Sequence, residues 1–424
     1  MSMINKTIYR QLIEKQKVLL EKEEIWIKRE LLNDILKDIK DNRILIISGI
    51  RRCGKSTLLK QIINKIKLEK ENYCYINFED EKFIDFKAQD FEEINELLIE
   101  IYGKSKYYLF DEIQNIDKFE LFVRRLQDEG KKLIITGSNS DLLSKEFGTR
   151  LSGRNKIFEL YPFSFKEFLE YKQYKNIENN YNIEKNVELK RLFKEYTING
   201  GMPEYLKNKD ENYIRTVYEN ILYKDVIARY SIKRQKTLKE LVNILATSTT
   251  SLFTYNSLKE VLKLSNAITV KEYIHYISNT YLFFELLRFD FSIRKQFNFA
   301  RKVYIIDQSF FNILGFNFSE NKGKILENVV FIELKRKGKD IFYFGGKNEC
   351  DFVIRESGKV SELIQICYEL NEKNILREKN GLLEAMKTLG LNKGIILTFE
   401  QEEEIKEGKF KISIIPIWKW LLQR

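Results

Sequence analysis

The segment Gly49-Ile-Arg-Arg-Cys-Gly54-Lys55-Ser56 constrains this chain more than any other, because of what stands on either side of it. The apolar run Ile44–Ser48 precedes it, and Leu58, Leu59, Ile62, Ile63 and Ile66 follow at helical spacing. Strand, glycine loop and helix in that order form a phosphate cradle. Gly49 and Gly54 leave room for backbone N–H groups to turn inward where a Cβ would obstruct them. The start of the helix adds partial positive charge. Gly49, Ile50, Arg51, Arg52, Cys53, Gly54, Lys55, Ser56 and Thr57 are thus the candidate nucleotide-binding set. Lys55 is placed to reach the β- and γ-phosphates of ATP, and the Ser56 hydroxyl to join a Mg²⁺ shell. A chance glycine loop would lack the flanking strand and helix.

The chain around the loop continues in the same manner. Short apolar runs at Ile44–Ile47, Tyr73–Phe78, Tyr107–Phe110, Leu133–Thr136 and Lys156–Leu160 alternate with amphipathic stretches, which predicts an α/β core with a parallel sheet. The third run ends in Asp111-Glu112. An acid at the carboxyl end of a central strand can hold Mg²⁺ through water, and Glu112 beside it is placed to polarise the attacking water. The fourth run ends in Gly137-Ser138-Asn139-Ser140, polar groups able to hold a water opposite the γ-phosphate. A helix is expected at about 141–147. Asn77, near the end of the second strand, is a candidate to orient Glu112, although polar strand ends are commonplace.

Composition narrows the setting. The 424 residues carry a formal net charge of +11, which favours polyanionic partners but equally describes a Lys-rich surface. Four scattered cysteines and the single His275 exclude a disulfide framework and a histidine-rich zinc site. The charge-interrupted N-terminus is no signal peptide, and no apolar run has bilayer length, so a cytoplasmic protein without a membrane partner is expected.

Taken together, the chain resembles an AAA-type ATPase of the archaeal and bacterial group that carries a C-terminal domain of restriction-endonuclease-like fold. Gly49–Ser56, Leu109–Glu112, Thr136–Asn139 and Arg154 match the Walker A, Walker B, sensor 1 and arginine-finger positions of that group. Tyr161-Pro-Phe-Ser-Phe-Lys-Glu-Phe168 and Gly200-Gly-Met-Pro203 are similar to its recurring sequences. The resemblance runs from about Ile27 to the C-terminus, and with the apolar positions at helical spacing over residues 5–40 it gives five expected parts: a helical segment at 1–41, an ATPase core at 42–163, a helical lid at 164–235, a winged helix at 236–302 and a nuclease-like domain at 303–424. Ser138 or Asn139 would sense the γ-phosphate. Arg154 would act across a subunit interface, with Arg150 in reserve, and so implies a homo-oligomer, a hexamer being one such arrangement. The plainer alternative is that Arg154 caps a helix or pairs with an acid such as Glu159.

Further along, Ser257-Leu-Lys-Glu260 reads as a capping box, and a second helix from near Asn266 places Val270, Tyr273, Ile274 and Ile277 on one face. Its outward face, including Thr269, Lys271, Glu272, His275 and Tyr276, is mixed rather than basic. In the alternating run Leu286–Tyr304, Arg288, Arg294, Lys295, Arg301 and Lys302 interleave with Phe289, Phe291, Phe297 and Phe299. That pattern suits a DNA-binding wing, or equally a hairpin with buried rings and outward charges.

In the C-terminal part, Glu327 shares a helical face with Val330, Phe331 and Leu334, and the strands Ile341–Phe344, Asp351–Ile354 and Glu362–Cys367 follow. This is similar to a nuclease pattern in which a helix acid, a strand Asp and an acid-x-Lys strand converge on Mg²⁺. Glu327 and Asp351 match, whereas Gln365 and Cys367 stand where the second acid and the lysine belong. A fold with little cleavage is expected, with Glu349 or Glu362 as substitute acids. Three functions follow for comparison: an ATPase acting on DNA or other nucleic acid, a nucleotide-dependent regulator of a protein partner, and a metal-dependent nuclease.

Overall fold

The five apolar runs of the N-terminal part become the five strands of a parallel sheet. In a computed structural model of the chain, the described residues are 3–21, 27–68, 72–139, 153–174, 183–315 and 322–423. They divide into two units, Met1–Tyr161 with Asn279–Tyr281, and Pro162–Ser278 with Leu282–Arg424.

In the first unit the strands are β1 (Ile44–Ser48), β2 (Tyr73–Asn77), β3 (Tyr107–Asp111), β4 (Lys132–Gly137) and β5 (Asn155–Glu159). Their order is β2-β3-β4-β1-β5, all neighbours parallel. Every residue of β1, β3 and β4 is buried, as expected of central strands covered on both faces. The helices are α1 (Met3–Glu21), α2 (Leu31–Lys37), α3 (Lys55–Leu68), α4 (Phe91–Tyr102) and α5 (Phe119–Asp128). On one face Tyr9, Leu12 and Ile13 of α1 join an aromatic core of Phe78, Phe83, Phe86, Phe91, Phe110 and Phe122. The first strand leads to β2 at the far edge, so the chain reverses direction beside the end of β1, where α/β sheets open a crevice.

The second unit opens with helices at Phe165–Tyr171, Ile183–Asn199, Pro203–Asn208 and Glu211–Asn220, and a π-helical turn at Ile221–Ala228. Two short motifs that the sequence keeps apart form one joint here. Phe163 N–H donates to Gly201 O at 2.8 Å, and Tyr196 Oη donates to Phe163 O at 2.9 Å. The buried Asp307 carboxylate accepts from Gly201 N–H at 2.6 Å. A Cβ on Gly200 would lie 1.9 Å from Asp307 Oδ1, and one on Gly201 2.3 Å from Phe163 O, which explains the glycine pair.

Helices at Gln235–Thr247, Tyr255–Val261 and Ala267–Ser278 accompany a three-stranded sheet ordered β6-β8-β7, from Leu252–Phe253, Arg301–Ile305 and Phe283–Leu286. Val270, Tyr273, Ile274 and Ile277 form the buried face of the last of these helices. Its predecessor starts earlier than the sequence suggests. Thr254 is the N-cap and Ser257 the third helical residue of its capping box, so Ser257 does not open the helix.

The alternating run Leu286–Tyr304 is not one long hairpin. Asp290 Oδ1 accepts from Ser292 N–H and Asp290 O from Gln296 Nε2, and the chain turns into a short helix at Ile293–Asn298. Arg294 and Lys295 are exposed, with Phe291 and Phe297 at 82% and 57% exposure. Arg301 and Lys302 are buried and paired with acids, so neither can meet a phosphate as a wing cation.

The C-terminal sheet has six strands ordered β13-β14-β12-β11-β10-β9: Glu403–Glu407, Phe410–Pro416, Lys393–Thr398, Lys359–Ile366, Glu349–Glu356 and Asp340–Gly345. The pairs β9–β10, β10–β11 and β13–β14 are antiparallel, while β11–β12 and β12–β14 are parallel. The helix Lys322–Arg336 carries Glu327.

Candidate active site

The loop after β1 is shaped by close backbone packing. A Cβ on Gly49 would lie 2.2 Å from Leu160 O, and Gly54 sits at φ +103°, where a Cβ would lie 3.0 Å from the Arg29 guanidinium. Lys55 Nζ turns back under the loop and donates to Gly49 O at 3.1 Å and Ile50 O at 3.3 Å. It also pairs with Glu112 Oε1 at 3.1 Å. Along α3, Leu58, Leu59, Ile62, Ile63 and Ile66 are buried as the periodicity predicts.

Asp111 and Glu112 emerge where β3 ends. Asp111 is wholly buried; its carboxylate accepts from Tyr75 Oη at 3.1 Å and from Thr136 Oγ1, and is hydrogen-bonded by Ser56. Burial and the adjacent Glu112 push the Asp111 carboxyl up from its ordinary value, against the bonds from Ser56 and Thr136 and the charge of Lys55. Burial also acts to raise Glu112, yet Lys55, Gln114 and Arg51 outweigh it and leave this carboxyl below its ordinary value. For Lys55, burial opposes the charge and Glu112 restores it, so the ammonium is held above its usual range. Glu112 adopts the left-handed region, φ 51°, a conformation unusual for this residue type and common at functional sites. Thr136 ties the pair together, because its Oγ1 accepts from Glu112 N–H at 2.9 Å while donating to Asp111.

Ser138 and Asn139 are buried at the end of β4 beside these acids. Ser140, the helix expected at 141–147 and Arg150 lie outside the described residues. Asn77 contacts Asp111 at 3.4 Å rather than Glu112. The group that holds Glu112 is Gln114, whose Nε2 donates to Glu112 Oε2 at 2.5 Å and reaches Ser138 Oγ at 3.5 Å. Arg154 stands before β5, at the opposite end of the sheet from the loop, and pairs with Asp128 at 2.8 Å rather than with Glu159. Five residues of strand at about 3.3 Å each separate those two ends.

Three supporting residues carry no signal in the sequence. The fully buried Arg29 donates to Cys53 O at 2.8 Å and Tyr161 O at 2.5 Å, so it braces the loop from behind. Gln61 accepts from Arg29 N–H at 3.2 Å and donates to Ile27 O at 2.7 Å. Tyr281 donates its hydroxyl to Ser48 Oγ at 2.6 Å, at the last residue of β1. No motif flags such partners, since each is defined only by a distant contact.

In the second unit Glu327 and Asp351 do meet, and Gln365 does not join them as a ligand. Gln365 Oε1 accepts from Asp351 N–H at 3.2 Å and its Nε2 donates to Glu378 at 2.8 Å. The group between the acids is Lys302.

A parallel sheet with a phosphate loop after β1 and an acid pair after β3 defines a P-loop ATPase core, and residues 41–169 match the family model of the AAA domain. Residues 41–169 thus form an AAA-type domain, the core of a nucleotide-dependent ATPase. Residues 190–321 match a second model, a domain of unknown function, DUF8612. The chain is 39% identical to the uncharacterized protein MJ1544 of Methanocaldococcus jannaschii, over 96% of this chain and 95% of the relative, and it belongs to that protein's family. An uncharacterized protein of Haemophilus influenzae is 29% identical over 94% of this chain and 99% of its own length. Among solved structures, AMPPCP-bound DnaA from Aquifex aeolicus covers 61% of this chain and 90% of its own, at 18% identity and a TM-score of 0.27, a likeness too slight to build on. No helix among the described residues is long and apolar enough to cross a membrane.

Proposed function

We propose that this protein hydrolyses MgATP as an oligomer and uses the cycle to act on nucleic acid. The Lys55–Glu112 ion pair carries the reading: a buried ammonium and a buried carboxylate, 3.1 Å apart, sit under a glycine loop beside a second acid. Arriving phosphate competes for Lys55, and Glu112 is thereby released toward the attacking water. The backbone of Gly49–Ser56 and Lys55 hold the phosphates, and Ser56 and Asp111, already hydrogen-bonded to each other, are the hard oxygen donors that suit Mg²⁺. When bound, that ion supplies charge neutralisation between the phosphates. Glu112 accepts the water proton, and Ser138, which Gln114 reaches at 3.5 Å, or Asn139 senses the γ-phosphate.

Arg154 acts in trans in this scheme. It is half-exposed, and strand length separates it from its own loop, so only a neighbouring chain's nucleotide is within its reach. The second unit is read as a lid (164–235), a winged helix (236–302) and a nuclease-like domain (303–424). Nucleic acid is favoured by Phe291 and Phe297, exposed beside Arg294 and Lys295, where rings can stack on bases while cations meet phosphates. The free, buried cysteines Cys53, Cys74, Cys350 and Cys367 suit a reducing cytoplasm.

The test is ATP turnover across protein concentrations, with and without single- and double-stranded DNA. Turnover per chain should rise with concentration, DNA should stimulate it, and salt should weaken the stimulation. Mixing Arg154→Ala with Glu112→Gln chains should restore activity that neither has alone. Stimulation by neither form of DNA points to a protein partner, and absence of complementation removes the cross-subunit role.

A further inference from the structure

The nuclease-like pattern in the C-terminal part calls for a divalent cation among carboxylates. Three carboxylates do converge there, from the helix Lys322–Arg336 (Glu327) and from β10 (Glu349 and Asp351). At their centre lies Lys302 Nζ, 2.9 Å from Glu327 Oε1, 2.7 Å from Glu349 Oε1 and 2.9 Å from Asp351 Oδ1. An ammonium has three hydrogens, and each has its own carboxylate. The Lys302 side chain is 3% exposed, so it cannot swing away without leaving the fold.

We propose that Lys302 is the resident cation of this site, its ammonium standing where a divalent metal ion would sit among Glu327, Glu349 and Asp351 and closing the site to metal-dependent cleavage. Several observations converge on that reading. Lys302 comes from β8, a strand on which all five residues are buried, and not from β11, where the acid-x-Lys pattern would put its lysine. Two further donors join the cluster. Tyr304 Oη donates to the same Glu327 Oε1 at 2.7 Å, and Ile366 N–H donates to the second Asp351 oxygen, Oδ2, at 2.9 Å. Gln365 turns to Glu378 and to Asp351 N–H, so the third position of the pattern offers no ligand.

The balance of charge agrees. Burial and the neighbouring Asp351 push the Glu327 carboxyl up, so it shares a proton readily, while the three acids outweigh burial and keep Lys302 charged. One ammonium among three carboxylates lowers the formal charge of the cluster from −3 to −2 without a metal. It joins β8, the helix and β10 in one ion-pair knot, the kind of buried pairing that fixes register more than it adds stability. The inference goes beyond the ATPase reading and does not depend on it.

Removing the ammonium should open the site. Equilibrium dialysis of the full chain, free of nucleotide, against Ca²⁺ and against Mn²⁺ is the experiment. Lys302→Ala should gain one bound cation per chain relative to wild type, and the double variant Lys302→Ala/Asp351→Asn should lose it again. Where Lys302→Ala does not fold in metal-free buffer, refolding with Ca²⁺ or Mn²⁺ is read instead, and recovery of folded protein is expected. The proposal is overturned if wild type binds a divalent cation that Asp351→Asn abolishes, or cleaves DNA in an Asp351-dependent way. It is equally overturned if folded Lys302→Ala gains no cation, or if metal fails to rescue an unfolded one.

Discussion

Replacing Gly200 by alanine tests the joint between the Gly-Gly turn and Asp307 with a built-in control. Gly200 has φ +70°, and a Cβ there would lie 1.9 Å from Asp307 Oδ1, 2.6 Å from Cγ and 2.8 Å from Oδ2. Gly358 has φ +82° with nothing within 4 Å of the same position. Both substitutions carry the left-handed backbone cost, about 1 kcal/mol. Only Gly200→Ala must also move a buried carboxylate, which accepts from Gly201 N–H at 2.6 Å, Ser309 N–H at 3.0 Å and Ser309 Oγ at 2.5 Å. Losing two such charge-assisted bonds costs about 3–5 kcal/mol, so Gly200→Ala should cost roughly 4–6 kcal/mol against about 1 for Gly358→Ala. Urea unfolding followed by tryptophan fluorescence on a Trp26→Phe background reads this unit, since Trp418 and Trp420 are buried in it and Trp26 belongs to the other. On an Asp307→Ala background the cost of Gly200→Ala should fall to about that of the control. Equal midpoint shifts for the two glycines, or an undiminished cost on that background, would refute the reasoning.

The remaining predictions concern the loop, the base and pH. Arg29→Met removes two charged donors from Cys53 O and Tyr161 O and should cost about 3 kcal/mol of stability and weaken ATP binding by about 10- to 100-fold; calorimetry showing unchanged affinity contradicts the bracing role. Gln114→Leu should lower kcat by about tenfold with little change in KM. It should also move the acid limb of the pH–rate profile upward, because one of the groups lowering the Glu112 carboxyl is gone; an unmoved limb denies that Gln114 positions the base. Burial raises the Asp307 carboxyl to about 6, above the value of about 3.9 expected in the unfolded chain. The folded state then holds this proton more tightly, so the stability it contributes is full below about pH 4 and is lost as pH rises through about 6, roughly 3 kcal/mol in all. Unfolding midpoints of wild type and Asp307→Asn should diverge across that window, and a constant difference would contradict the assignment.

The sequence discloses the ATPase core because its signals are local. The five apolar runs fall on β1 to β5 within a residue or two, and the loop context predicts both α3 and its buried face. What escapes is whatever depends on contacts between distant residues. Arg29 meets Tyr161 across 132 positions, and Lys302 meets Asp351 across 49. Lys302 reads as a surface cation in an alternating segment, and only the packing of β8 against the helix and β10 shows it to be a buried counter-charge. Similarly, Asn77 looks suited to Glu112 by its place at a strand end, but β2 lies beside β3 in a register that points it at Asp111, and Gln114 holds Glu112 instead. Ser257 is legible as a capping residue but not as the third residue of a box begun by Thr254, because a Ser there stands where such a box usually carries Glu or Gln.

The central claim is that the Lys55 ammonium and the loop amides grip a triphosphate while Glu112 acts only on the water. Isothermal calorimetry with MgATP, paired with phosphate release, measures both halves on the same preparations. Wild type should bind one MgATP per chain and turn it over, Glu112→Gln should bind it without turnover, and Lys55→Ala should lose binding. Binding that survives Lys55→Ala undiminished, or wild-type protein with no measurable affinity for MgATP, contradicts the account.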